Sequence, residues 1–92
     1  MDKNENDIFL KIKATLLDFL TLNNKSIQVD ANLINENTDI VEAFGIDSIE
    51  LLDLIASIER SFSIRLEATE FVGKTKIIDV ISIVKKYQDK KA

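Results

Sequence analysis

Apolar residues recur at intervals of three and four positions in three separate stretches of this 92-residue chain. That spacing places them along one face of an α-helix, so each stretch predicts an amphipathic helix. The chain has no proline and only two glycines, so little in it would interrupt a helix. The first helix is predicted over about residues 6–22, with an apolar stripe of Ile8, Phe9, Ile12, Leu16, Phe19 and Leu20. The second is predicted over residues 48–62, with a stripe of Leu51, Leu52, Ile55, Ile58 and Phe62. The third is predicted after Thr75, with a stripe of Ile77, Ile78, Val80, Ile81, Val84 and Tyr87.

Two connections join these helices. The first covers about residues 23–46, and within it "TDIVEAFG", residues 38–45, predicts one or two helical turns ended by Gly45. The second, "SIRLEATEF", residues 63–71, predicts a short linker and one further helical turn anchored by Leu66 and Phe71. A strand also fits "FSIRL", but a lone strand would have no pairing partner. The first connection could be attached to the core by Ile27, Val29, Leu33, Ile34, Ile40, Val41 and Phe44.

These elements predict an all-α fold, a small four-helix bundle with a long first loop and a short third helix. Residues 1–92 form a single domain in this interpretation, because a chain of this length has room for one core. Asn6 or Asp7 is expected to cap the first helix, and Thr75 the last. The tail at residues 88–92 is expected to fray.

The composition excludes several kinds of function. The chain has no cysteine and no histidine, so it lacks the usual nucleophile, the usual near-neutral base and the preferred zinc ligands. We therefore expect neither catalytic residues nor a metal site. The first residues, "MDKNENDIF", lack the apolar core of a signal peptide, and no run approaches a membrane span. We expect a cytoplasmic monomer with no membrane insertion.

Charge is unevenly distributed along the chain. The net charge is −4, made up of −2 in residues 1–38, −6 in residues 39–70 and +4 in residues 71–92. Between Asp39 and Glu59 there are six acidic residues and no basic one. A surface of one sign attracts partners of the opposite sign, so a basic protein patch suits this segment and nucleic acid does not. A solvated acidic surface without a partner is the alternative.

The stretch "FGIDSIELLDLIASIERSF", residues 44–62, contains the most informative residues. Asp47 and Glu50 have the spacing of a capping box, and Gly45 allows a sharp turn just before it. This explains three residues structurally but leaves Ser48 at the first helical position with no structural task. Unpaired amides and the positive end of the helix dipole would suit a phosphate at that position. The sequence alone therefore leaves open whether Ser48 is a helix-start residue or an attachment point.

The segment "GIDSIELLDLIASIERSF" resembles the signature that opens the second helix of acyl carrier proteins and related peptidyl carrier domains. The resemblance implies that Ser48 carries a phosphopantetheine arm and that Asp47 helps to position the magnesium and phosphate of a phosphopantetheinyl transferase. It also implies a recognition surface for acyl-transferring and acyl-modifying enzymes with basic docking patches, formed by Ile49, Glu50, Asp53 and Glu59. Ile49 stands where the family usually has leucine.

Two departures from the family pattern bear on the pathway. The net charge of −4 is less negative than is usual in carriers of fatty acid biosynthesis, and Arg60 lies where those carriers keep acidic residues. We therefore expect a carrier of acyl thioesters in a specialised lipid or polyketide-type pathway. The alternatives are an aminoacyl or peptidyl carrier and a helical interaction module without the arm. An enzyme using Asp47 and Glu50 is disfavoured, because an exposed helix start does not offer a dry cleft.

Overall fold

The computed structural model describes residues 2–25 and 30–91. Over these residues it has four α-helices and no strand, which confirms the prediction of a small all-α bundle. The α-helices are α1 (Lys3–Leu22), α2 (Ile40–Phe44), α3 (Ser48–Phe62) and α4 (Ile77–Lys91). The short third helix expected from the sequence is a 3-10 turn, Ala68–Phe71, and a second 3-10 turn, Ala31–Leu33, lies in the first connection. None of the described helices is both long and apolar enough to span a bilayer.

A single apolar core lies between α1, α3 and α4. Helix α1 packs against both of the other long helices. No polar or charged residue among those described is buried, so the core is held by the burial of aliphatic and aromatic side chains. Its most deeply buried members are Ile12, Leu16, Leu20, Leu54, Ile58, Phe71, Ile77, Val80, Ile81 and Val84.

Helix α1 begins before the predicted position. Its cap is Asp2 rather than Asn6 or Asp7, because Asp2 and Glu5 form a capping box. The Glu5 amide donates to Asp2 Oδ1 at 2.8 Å and the Asp2 amide donates to Glu5 Oε1 at 3.4 Å. The apolar stripe starts only at Ile8, so the stripe could not reveal the polar turn that precedes it.

The inward face of α3 differs from the prediction at two positions, because Leu52 faces outward and Leu54, which was not assigned to the stripe, is buried. Leu54, Ile55 and Ile58 are buried, whereas Leu52 is 54% exposed. Adjacent residues of a helix point about 100° apart, so Leu51 and Leu52 cannot both face the same core. Near the end of α3 the hydroxyls of Thr15 and Ser61 lie 2.8 Å apart, in a partly buried contact between α1 and α3.

The first connection is attached to the core by fewer residues than expected. Ile34 and Ile40 are buried, and Val41 and Phe44 are partly buried against the core. Leu33 was expected to contribute, but it is 74% exposed because it lies on the outer side of a 3-10 turn. The predicted anchors Ile27 and Val29 lie outside the described residues.

The start of α4 is fastened to the first connection. The amides of Ile77 and Ile78 donate to the carbonyls of Thr38 and Glu36, at 2.9 and 2.8 Å. Thr75 is therefore not the cap of α4, since backbone carbonyls of another segment accept these hydrogen bonds. The Thr75 hydroxyl instead donates to Asp39 Oδ1 at 2.9 Å.

Asp39 is itself the cap of α2, and its Oδ1 accepts from the amides of Val41 and Glu42. Burial raises the pKa of this carboxyl, but the hydrogen bonds from Thr75, Glu42 and Val41 outweigh that effect and hold the pKa below its ordinary value. The carboxylate of Asp39 thus links α2 to the segment that leads into α4.

The second connection is held by apolar anchors, as predicted. Leu66 and Phe71 are buried, and the Leu66 amide donates to Glu59 Oε2 at 2.8 Å. Lys86 of α4 donates to Glu70 Oε1 at 2.6 Å. Helix α4 continues to Lys91, and fraying of residues 88–92 stays a prediction.

Candidate functional site

The turn between α2 and α3 determines how Ser48 is displayed. Helix α2 ends at Gly45, whose φ of 63° is in the left-handed region. Residues with a Cβ pay a steric cost there, which explains a glycine at this position. Ile46, next along, is only 5% exposed, and its amide donates to the Val41 carbonyl at 3.2 Å. The buried Ile46 side chain anchors the turn while the residues on either side of it stay exposed.

A capping box then opens α3, as the sequence predicted. The Glu50 amide donates to Asp47 Oδ1 at 2.8 Å, and the Asp47 amide donates to Glu50 Oε1 at 3.0 Å. The Asp47 carbonyl accepts from the Leu51 amide at 2.8 Å, which is the first bond of the regular helix. Asp47 and Glu50 therefore fix both the starting point and the direction of α3.

Ser48 is the first residue of α3 and is exposed. No described group forms a hydrogen bond with its hydroxyl, and none accepts from the amides of Ser48 and Ile49. The capping box occupies the amides on either side of that pair. An oxygen at this point lies beside two free donors and in the positive end of the helix dipole, where a phosphate ester is favoured.

The other predicted recognition residues divide into two groups. Ile49 is 73% exposed and Asp53 is also exposed, so both face solvent close to Ser48. Glu50 and Glu59 are only partly exposed and already bind within the chain, Glu50 in the capping box and Glu59 to the Leu66 amide. The structure therefore brings Ile49 and Asp53 to the free surface beside Ser48 and leaves Glu59 near the far end of α3.

Two residues of this surface were not identified from the sequence. Leu52 was assigned to the core but adds an apolar side chain to the surface next to Ile49. Lys25 reaches the turn from the end of α1, where its Nζ lies 3.4 Å from Glu50 Oε1 and donates to the Gly45 carbonyl at 3.2 Å. A finer helical-wheel comparison could have found Leu52, whereas no local signal in the sequence points to Lys25.

Comparison with known proteins identifies the family. The profile described as the phosphopantetheine attachment site matches residues 10–84, which is most of the chain. The chain belongs to the acyl carrier protein family. Proteins of this family are carriers rather than catalysts, and family membership implies a covalently attached phosphopantetheine.

Several curated acyl carrier proteins are similar over most of their length. That of Lactobacillus acidophilus is 29% identical over 92% of this chain and 98% of its own. That of Chlamydia caviae is 30% identical over 70% and 83%, and that of Thermotoga maritima is 22% identical over 87% and 90%. No solved structure gave a significant match. The family assignment therefore rests on sequence similarity to other acyl carrier proteins, and the fold agrees with it.

Proposed function

We propose that this acyl carrier protein is modified at Ser48 and that its carrier function depends on the tether held there. The observation that supports this most directly is the state of the serine: an exposed hydroxyl that has no partner among the described residues, beside two amides that are likewise unpaired there, at the start of a capped helix. Bound phosphopantetheine supplies a terminal thiol on which acyl groups are held as thioesters. The chain has no cysteine, so it offers no competing thiol.

In this proposal each residue around Ser48 has a separate task. Asp47 caps α3, keeps the serine at the first helical position and offers a carboxylate to the magnesium held by the transferase, which helps to position the incoming phosphate. In the loading step the Ser48 hydroxyl gives up its proton to a base of the transferase and an O–P bond forms at Ser48 Oγ, while the pyrophosphate bond of coenzyme A breaks and adenosine bisphosphate leaves. The amides of Ser48 and Ile49 then lie beside the new phosphodiester and favour its negative charge.

The surface next to Ser48 is proposed to bind partner enzymes. Acyl carrier proteins interact in general with phosphopantetheinyl transferases and with acyl-handling enzymes. Here the exposed Ile49 and Leu52 provide apolar contact, and the exposed Asp53 provides negative charge for a basic patch. Glu50 and Glu59 contribute further negative charge to the same helix, although both carboxylates also bind within the chain.

The pathway is proposed to be a specialised lipid or polyketide-type one in the cytoplasm. Support comes from the modest net charge and from Arg60, which is exposed and donates to Ser57 Oγ at 3.1 Å, with no ion pair to an acid in residues 2–25 and 30–91. A positive group on α3 changes the set of partner surfaces that fit it. The names of the similar proteins support acyl cargo over aminoacyl cargo.

The test is incubation of the unmodified chain with coenzyme A, magnesium and each of several phosphopantetheinyl transferases, followed by intact mass spectrometry. We expect the chain to gain the mass of one phosphopantetheine, and Ser48→Ala to gain none. Ser82→Ala is the matched control and should load like the wild type, because Ser82 is also exposed on a helix but donates to the Ile78 carbonyl.

A wild-type chain that no transferase modifies would contradict the proposal, as would a Ser48→Ala chain that still gains the mass. Loss of modification in Ser82→Ala as well would indicate a folding defect rather than a specific site. The same mass measurement on protein from its native cell weighs tether and cargo together and so tests the pathway.

A further inference from the structure

Lys25 connects the two sides of the turn that displays Ser48. Its Nζ donates to the carbonyl of Gly45, before the serine, and lies 3.4 Å from Glu50 Oε1, after it. Both side chains of the ion pair are largely shielded from solvent, with 26% and 20% exposed. A pair with this shielding is screened less by salt than a fully exposed one. Lys25 therefore links Gly45 to Glu50 across Ser48.

The main chain at Lys25 is itself held by the end of α1. Its amide donates to the Leu20 carbonyl at 2.8 Å, and Asn24 before it has a φ of 57°. This left-handed residue closes the helix end and directs the next residue across the chain. The ammonium group thus reaches the turn from just beyond the end of α1, twenty positions before Gly45 along the sequence.

The charge of Lys25 also matters at this place. Asp47, Glu50 and Asp53 all lie within five positions of Ser48 along the chain, so a phosphate arriving there meets repulsion from nearby carboxylates. Among the described residues, Lys25 is the base that forms an ion pair with one of these acids, Glu50. It offsets one negative charge in the first turn of α3, where the tether has to be attached.

We propose that Lys25 is a positioning residue of the Ser48 attachment site, which holds the turn from Gly45 to Glu50 in the form that a transferase modifies. This inference rests on the proposed function of Ser48. Lys25 does not touch the reacting atoms; it acts through Gly45 and Glu50. Its removal should therefore slow the chemical step more than it weakens docking.

The test variant is Lys25→Met, which keeps an unbranched side chain and removes the charge and the donor. With coenzyme A and a transferase that loads the wild type, we expect kcat to fall roughly fivefold. The KM for the carrier should stay unchanged or decrease, because the surface offered to a basic enzyme becomes more negative. Lys25→Arg restores the charge and donors and should recover most of kcat.

Lys85→Met is the matched control. Lys85 lies 3.7 Å from Asp2 Oδ2 and so also pairs with an acid of a capping box, but that box opens α1, away from Ser48. Lys85→Met changes the net charge by the same amount as Lys25→Met does, and its kcat should match that of the wild type. A second variant, Glu50→Gln, keeps the capping box and removes the ion pair, and it should show part of the fall in kcat.

Thermal unfolding of each variant is measured alongside, so that a loss of folded protein is not mistaken for a slower reaction. Unchanged kcat in both Lys25→Met and Glu50→Gln, with the wild type loading normally, overturns the role of Lys25 alone. An equal fall in Lys85→Met also overturns it, because the effect would then follow net charge. A wild type that no transferase loads overturns the proposed function and this inference together.

Discussion

Helices α1 and α3 begin with the same local device, and only one of them presents a candidate site. Each opens with an Asp-X-X-Glu capping box, Asp2 with Glu5 and Asp47 with Glu50. The amide-to-aspartate bonds are both 2.8 Å. Each box also pairs with a lysine from elsewhere in the chain. A capped, acidic helix start is therefore a recurring structural element of this protein and does not by itself define a function.

The difference lies in the first helical residue and in what precedes the cap. Helix α1 has Lys3 at that position, whereas α3 has Ser48. Helix α3 also follows a turn fixed by a left-handed glycine and a buried isoleucine, so its first residue is displayed in one orientation. The comparison indicates that the site consists of a hydroxyl plus a rigid turn, with the capping box as its support.

The strongest way to break this comparison is to give α1 the missing hydroxyl. Lys3→Ser, made together with Ser48→Ala, creates the sequence Asp-Ser-Asn-Glu at the start of α1. We expect no loading at all, because the turn that displays Ser48 has no counterpart there. Intact mass after incubation with a transferase is the measurement, and the wild type is the positive control.

Transfer of the arm to the new serine would show that a capped serine is sufficient by itself. In that case the turn before α3 would have no part in recognition.

A second test acts on the turn alone. Gly45→Ala places a Cβ at a φ of 63°, which costs roughly 1–2 kcal/mol, or a decrease in Tm of about 4–16 °C for a domain of this size. Apart from the two adjoining residues, no atom of the described part of the chain lies within 4 Å of the added Cβ, so the cost comes from the backbone and not from a clash. Loading should slow as well, since the turn adopts its form less readily. Calorimetry and transferase kinetics measure the two effects.

Gly73→Ala is the control for this change, because Gly73 has a φ of 70° and equally free surroundings. It should lose similar stability and keep the wild-type loading rate. If both variants load equally slowly, stability and not the turn governs the reaction.

The smallest expected effect concerns Asp39, the aspartate that caps α2. Its pKa is lowered in the folded chain, so near pH 4 the unfolded state binds more protons, and stability falls as the pH drops through the folded pKa. Asp39→Asn removes this contribution. Its Tm should be about 2–4 °C below that of the wild type at pH 7, and the gap should narrow below about pH 3.9. Thermal unfolding of both proteins at pH 7 and at pH 3 measures this difference in Tm. A difference that is the same at both pH values would contradict a lowered pKa for Asp39 in the folded chain.

Local sequence signals predicted the elements that depend on neighbouring residues. The apolar stripes of α1, α3 and α4, the end of α2 at Gly45 and the cap formed by Asp47 and Glu50 all follow from spacings of a few residues. The error at Leu52 has a local cause too, since four of the five residues from 51 to 55 are apolar and more than one stripe could be drawn. The early start of α1 was missed because its first turn carries only polar residues.

What the sequence could not indicate is the set of contacts between distant segments. Lys25 meets Gly45 and Glu50, and Asp39 meets Thr75, which lies 36 positions further along. Propensity and periodicity carry no information about such pairs, because the pairing depends on how the helices pack. Thr75 shows the consequence: it fits a helix cap locally, but its hydroxyl is used by Asp39.

The contact between the hydroxyls of Thr15 and Ser61 has a consequence at the other end of α3. Rows of isoleucine and leucine can interlock in more than one register, whereas a pair of partly buried hydroxyls is satisfied in only one. Sliding α3 along α1 by a turn would separate that pair and take this partner from the Ser61 hydroxyl, while the Thr15 hydroxyl would keep its bond to the Lys11 carbonyl. The contact between Thr15 and Ser61 thus fixes the position of Ser48 along the bundle axis. It does so from roughly 20 Å away along the helix, at a point that no docking enzyme needs to touch.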